Sequence, residues 1–220
     1  MNFYTHKKTL FYELKSNAKL EWNKYVNHNF VNQLGQGSLE LNKFKDYLKQ
    51  DYIFLQKFMK ILSLGAYKSK NIRDMNYCVE FIIGIKHEIK LHIHYCKKFK
   101  ISKKELLLTR EKPENKNYTN FVLNIGKNKG ILELFVALSP CIIGYGEIGY
   151  NLSMIKNWQK SKYFSWIKMY ASSEYQKIVK RNIDYLDLLN KNHNNKISEL
   201  NKIFKKATRL EAEFWQMSMK

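Results

Sequence analysis

Proline and glycine are scarce in this chain. With two prolines and nine glycines in 220 residues, there are too few turn-formers for an all-β fold of many short strands, and long helices are expected. Cysteine is rare as well. Cys78, Cys96 and Cys141 cannot all pair, which argues against a disulfide scaffold and fits a reducing, cytoplasmic compartment. The opening MNFYTHKKTLFYELK has no continuous apolar stretch of the signal-peptide kind. The best membrane candidate, residues 131–150, is interrupted by Glu133, Ser139, Pro140 and Glu147, so a buried helix is expected and no membrane partner. Acidic residues are few. Nineteen against 39 basic ones leave a formal net charge of +20, compatible with nucleic acid, an anionic surface or an anionic small molecule. No basic stripe of the nucleic-acid type stands out, and runs such as NKNHNNK (190–196) read as solvated Lys/Asn-rich faces.

What the chain has in quantity is apolar and aromatic residues, 45% and 15% respectively, enough to bury a substantial core. Helical spacing places Phe11, Leu14, Ala18, Trp22 and Tyr25 on one face of a stretch from 4 to 27, which GQGS (35–38) ends. Helices are expected over about 40–66 and 72–98, the latter carrying Val79, Ile82, Ile83, Ile89 and Ile93. ISKKEL (101–106) is a capping-box pattern built on Ser102 and Glu105. Pro113 marks a loop before a short helix near 118–126. Further helices are expected at 130–154, 162–171, 174–191 and 196–219. No segment alternates at period two, and no linker or repeat appears. The expectation is an all-α single domain over 1–220.

LSPCIIGYGEIG (138–149) contains Gly144, Gly146 and Gly149 spaced as GxGxxG. A dinucleotide-binding loop needs a strand before the glycines and a βαβ unit around them. Pro140 sits in the preceding run and no flanking strand is available. As a helix the stretch is coherent: Cys141, Tyr145, Ile148 and Leu152 share a face, the glycines admit a second backbone, and Pro140 kinks the helix or releases a carbonyl. Cys141 then sits beside the proline, facing inward, with a phenol one turn away. A buried thiol is more often packing than a nucleophile.

Two acids change that balance. On the stripe Phe44, Leu48, Asp51, Leu55, Phe58, Leu62 an aspartate occupies a core slot, while Lys43, Lys49, Gln50 and Lys57 are expected to reach solvent. On Leu200, Phe204, Ala207, Glu211, Phe214 a glutamate does the same. Buried acids are paired, protonated or functional. One thiol and two acids on three helices are the parts of an acid/base-assisted nucleophile. Tyr52, Tyr118, Tyr145 and Tyr170 read as core or as the wall of a pocket for a flat polar ring. KHEIKLHIHY offers His87, Glu88, His92 and His94, but HExxH would need histidine where Leu91 stands, and Glu-x-x-His is absent; no metal site is expected.

At these residues the sequence resembles the TenA/thiaminase II family, through QDYIFL (50–55), NYTNF (117–121), LSPCIIGYGEIG (138–149), WIKMYAS (166–172) and LEAEFWQM (210–217), in the right order. The resemblance implies a haem-oxygenase-like all-α fold and a homotetramer. It implies Cys141 as nucleophile, Asp51 and Glu211 as acid/base groups, and Tyr118, Tyr145, Tyr170 and Phe214 around the substrate. Phe54 stands where a tyrosine is often found, so one hydroxyl near Asp51 or the ring is missing. The implied activity is hydrolysis of 4-amino-5-aminomethyl-2-methylpyrimidine or thiamine to the hydroxymethylpyrimidine, in thiamine salvage. That chemistry needs no cofactor. The rival readings are a non-catalytic basic nucleic-acid-binding or regulatory protein, and a haem carrier suggested by the histidines of the third helix.

Overall fold

The structure, a computed structural model, describes residues 3–191 and 197–220. Most of the Lys/Asn run at 190–196 and the first residue of the expected last helix lie outside the described residues. Among the described residues there is no strand, and the fold is all-α. The helices are α1 Leu10–Asn17, α2 Lys19–Val26, α3 Asn29–Gln36, α4 Leu41–Lys68, α5 Ile72–Lys98, α6 Lys103–Leu108, α7 Pro113–Asn128, α8 Ile131–Ser153, α9 Phe164–Ala171, α10 Ser173–Asn190 and α11 Ile197–Met217. The chain divides into two compact units, Met1–Leu39 with Phe135–Gln216 and Glu40–Leu134 with Met217–Lys220.

Local chemistry sets the helix ends. Thr9, Asn71 and Ser172 accept from the backbone N–H of Tyr12, Asp74 and Tyr175, each satisfying one open donor. The expected capping box is present: Ser102 Oγ accepts from Glu105 N at 3.1 Å, and Glu105 Oε2 accepts from Ser102 N at 2.8 Å. Gly37, at φ 75°, closes α3 in the left-handed region. Pro113 starts α7 instead of ending a loop, because proline's missing N–H costs nothing in a first turn.

The first unit is organised by stacked aromatics. Trp22 lies on Phe204 (5.5 Å between ring centroids, 13° between planes) and Phe30 on Trp215 (4.9 Å, 13°). Such pairs add about 0.5–1.5 kcal/mol beyond burial. The acid that interrupts the apolar run of α8 is satisfied here: Glu147 accepts from Lys15 Nζ at 2.7 Å and from Trp22 Nε1 at 3.2 Å. Although α8 is long and apolar enough to cross a membrane, 89% of its apolar window is buried inside the protein.

In the second unit α4 and α5, joined by residues 69–71, pack along their length. The stripe Phe44, Leu48, Asp51, Leu55, Phe58, Leu62 faces inward as its spacing predicts. Gln50 departs from expectation. It is 2% exposed, and its amide donates to Arg110 O and accepts from Lys112 N. On α5 the inward face is Tyr77, Cys78, Phe81, Ile85, His92 and Cys96, whereas Val79 and Ile83 are exposed. That helix carries two apolar stripes, and the one holding aromatics and thiols is the buried one.

Candidate active site

The glycine-rich stretch is helical, and each glycine admits a specific neighbour. A Cβ on Gly144 would meet Tyr25 Cε1 at 2.3 Å; on Gly146, Val179 Cγ2 at 2.4 Å; on Gly149, the backbone carbonyl carbon of Tyr170 at 2.6 Å. Their missing side chains let α2, α10 and the end of α9 press against α8 on separate sides. This is a packing device within a helix, and the stretch is no phosphate loop.

Pro140 has no N–H, so the carbonyl four residues back loses its helical donor. Ser139 Oγ supplies a replacement, donating to Val136 O at 2.9 Å. On the other side Tyr25 Oη donates to Pro140 O at 3.2 Å. The turn that carries Cys141 is therefore pinned on both flanks by buried hydroxyls. Cys141 itself is half-buried, in contrast with Cys78 and Cys96, which are fully buried; none of the three is in a disulfide. Burial pushes Cys78 up to about 11 and Cys96 to about 12, which keeps both as inert thiols.

One turn on from Cys141, Tyr145 enters an aromatic group shared with α9, α10 and α11. Its ring centroid lies 5.0 Å from Tyr170 and 5.1 Å from Trp215, and Tyr170 lies 4.5 Å from Trp166. Tyr175 meets Tyr170 edge-on at 4.8 Å and donates its hydroxyl to Ile142 O. Gln176 Nε2 donates to both Tyr170 O and Gly146 O, at 2.9 and 3.1 Å. Phe214 extends the group through Trp215, at 6.3 Å. Glu211, one turn before Trp215 on α11, is 1% exposed. The first unit thus brings Tyr145 and Tyr170 into contact and buries Phe214 and Glu211, with the thiol-bearing turn of α8 leading into the group.

Within the second unit Phe54 and Tyr118 stack, 5.3 Å apart at 29°. The stack is aligned by buried amides: Asn115 Nδ2 donates to Gln50 O at 2.9 Å, one helical turn before Tyr118 and one residue before Asp51. Asp51 is 6% exposed, and burial raises its carboxyl to about 7. Its Oδ2 lies 3.4 Å from His92 Nδ1. Glu88, one turn before His92, is raised to about 8 by burial and by the charge of Asp51.

A family model described as TENA/THI-4/PQQC matches residues 15–220, nearly the whole chain. The chain belongs to this family. It is 34% identical over 210 residues to a Helicobacter pylori protein named aminopyrimidine aminohydrolase, covering 93% of this chain and 96% of that one. A solved structure of a TenA family transcription regulator from Silicibacter sp. matches with a TM-score of 0.89 at 35% identity, over 96% of each chain. A Shewanella denitrificans domain of unknown function, described as having a heme oxygenase-like fold, matches at 0.76 with 11% identity, over 94% of this chain and 91% of that one; this likeness bears on the fold alone. The TenA-type, haem-oxygenase-like architecture expected from the sequence is the one observed.

For this TenA-family chain the structure brings to the candidate positions several residues that sequence reasoning misses. His92 stands in the sequence only as a failed metal ligand, yet it faces Asp51. The signal is present: Glu88, His92 and Cys96 stand at i, i+4 and i+8 on α5, a polar column on a helix packed against α4. Gln50 is expected in solvent because glutamine usually is; only tertiary contacts reveal its clamp on the 110–115 segment. Trp166 and Trp215 lie inside matched family stretches without a role of their own there, and both join the aromatic group.

Proposed function

We propose that this TenA-family chain is a C–N hydrolase of thiamine salvage, releasing 4-amino-5-hydroxymethyl-2-methylpyrimidine from 4-amino-5-aminomethyl-2-methylpyrimidine, from thiamine, or from both. The observation that carries the reading is a near end-to-end likeness to a protein named aminopyrimidine aminohydrolase, held by a chain whose one partly accessible thiol follows a pinned proline. The family model runs through both compact units, so we treat the chain as one functional domain.

In the proposed mechanism Glu211 hydrogen-bonds or protonates a ring nitrogen of the pyrimidine and withdraws electron density. The Cys141 thiolate adds to the electron-poor ring carbon. Collapse of the adduct breaks the bond from the exocyclic methylene to the amine or thiazole nitrogen, which leaves with the electron pair. Water adds to that methylene, and elimination restores the thiolate and the aromatic ring. Covalent catalysis divides one hard displacement into easier steps. Asp51 binds the ring's amino group and takes or returns the proton of thiol or water, a task suited to a carboxyl that burial has moved to about 7. Tyr145 steadies the thiolate, and Tyr118, Tyr170, Phe214 and Phe54 present aromatic surface to the ring. The scheme needs no cofactor. A homotetramer and a reducing cytoplasm complete the proposal.

The test follows hydroxymethylpyrimidine release from both substrates by wild type and Glu211→Gln. Release from at least one by the wild type, and loss of most turnover in the variant, support the scheme; unchanged turnover removes Glu211 from the chemistry. The relatives do not favour the nucleic-acid-binding alternative raised by the charge of +20. It predicts an affinity that falls steeply with salt, and a weak, flat salt series in a gel shift disposes of it.

A further inference from the structure

His92 takes no part in the scheme above, yet it is the buried side chain that faces Asp51. Its Nε2 lies 2.9 Å from Leu48 O, on α4 one turn before Asp51. A carbonyl only accepts, so Nε2 carries the proton and donates. In the neutral imidazole Nδ1 is then a lone pair, and it is Nδ1 that lies 3.4 Å from Asp51 Oδ2. Both side chains are 8% exposed, so solvent does little to screen one from the other. A lone pair facing a carboxylate is repulsive; a lone pair facing a carboxylic acid accepts a hydrogen bond from its O–H. The ring is held in this setting by Tyr52, nearly parallel to it at 19°.

We propose that His92 is a positioning residue for Asp51: its Nδ1 lone pair, fixed by the Leu48 bond, holds the carboxyl proton of Asp51 and so sets the pH at which that acid ionises. This rests on the reading of Asp51 as a proton-handling group of the hydrolase. The surroundings agree. Burial drives His92 below the usual imidazole range, which favours the neutral ring. Glu88 is half-buried, and its carboxyl, pushed up to about 8 by desolvation and by the charge of Asp51, disfavours a second charge beside Asp51. Cys96, the third member of the α5 column, stays a thiol. From the other elements packed on α4, α7 contributes Tyr118, stacked on Phe54. The Lys57 ammonium is engaged by Glu111. The inward residue of α6 is Leu106, while its Lys103, Lys104 and Glu105 are exposed. The described groups around Asp51 therefore favour a protonated carboxyl held by a neutral ring.

The experiment compares kcat/KM against pH for aminopyrimidine hydrolysis by wild type, Asp51→Asn, His92→Gln and His92→Asn. Gln reaches Leu48 with its amide nitrogen but offers no acceptor at the Nδ1 position; Asn places its amide oxygen near that position. His92→Gln is expected to move the acid limb down by about one pH unit, as loss of a bond to the protonated form requires, and His92→Asn to return it toward the wild-type value. An inactive Asp51→Asn beside a His92→Gln profile superimposable on wild type overturns the role of His92 while leaving that of Asp51 intact. A fully active Asp51→Asn overturns the parent reading instead. The ring nitrogens of wild-type His92, read by ¹⁵N NMR at pH 7, test the same point without a variant: an unprotonated Nδ1 is expected, and an imidazolium contradicts the proposal.

Discussion

The hydroxyl of Tyr25 donates to the carbonyl of Pro140 at 3.2 Å, across the position where Gly144 lacks a side chain. The proline that breaks the helical ladder, the glycine that opens the path and the phenol that uses it form one arrangement beside Cys141. Gly144→Ala would bring its Cβ to 2.3 Å from a ring that is fully buried and has nowhere to retreat. We expect a loss of about 1–3 kcal/mol in urea unfolding. Tyr25→Phe, which removes the bond alone, should cost about 1 kcal/mol. Wild-type stability in Gly144→Ala would refute the close-packing account of the glycine motif.

Gly149 differs because backbone, not a side-chain tip, occupies its missing side chain: Tyr170 C at 2.6 Å and Ala171 N at 2.8 Å. Backbone cannot swing aside. Gly149→Ala should destabilise more than Gly144→Ala and should also displace Tyr170, raising KM for the aminopyrimidine. Denaturation and steady-state kinetics on the same preparation check both effects; a stable variant with unaltered KM contradicts them.

Asp51 and Glu88 impose a pH dependence on stability. Folded values of about 7 for Asp51 and about 8 for Glu88 stand well above the ordinary carboxylate range of about 4. Folding therefore gains from these groups fully below that range and loses the gain as pH rises through 7 and 8. His92, held low, acts oppositely: below about pH 6.5 the unfolded ring binds a proton that the folded ring resists. Asp51→Asn, which cannot ionise, should stabilise the protein at pH 8 and do so much less at pH 5. Urea titrations at the two pH values decide it, and equal effects at both would contradict the burial argument.

Phe54 stacks on Phe58 and Tyr118 and is buried. Phe54→Tyr supplies the hydroxyl that the family resemblance implies at this position. It should raise kcat/KM severalfold with little change in melting temperature. A fall in activity would mean that the phenyl ring is itself fitted to this site.

The extent of the helices is legible because breakers are so few: α5 follows directly from its helical spacing, and α8 from the shared face of Cys141, Tyr145, Ile148 and Leu152 in spite of Pro140. The break at Ala18 between α1 and α2, and the existence of α3, are not legible. No glycine or proline marks the first, and α3 is capped by an imidazole, His28 accepting from Phe30 N, which is an uncommon signal. The inward placement of Asp51 and Glu211 is visible as acids on apolar stripes, and both are buried. The partner of Asp51 is not, since the Glu88, His92, Cys96 column on α5 acquires meaning only once that helix is laid against α4. Gln50 shows the same limit: residue type alone puts it outside, and its backbone and amide contacts hold it inside.

The proposed chemistry depends most on the thiol of Cys141, and Cys141→Ser tests it most directly. Serine is nearly isosteric with cysteine, so the variant should fold with an unchanged melting temperature and bind the pyrimidine. Its release of hydroxymethylpyrimidine should fall by about a thousandfold or more, as expected when a covalent nucleophile is removed. Turnover at the wild-type rate by a folded Cys141→Ser protein would contradict the account.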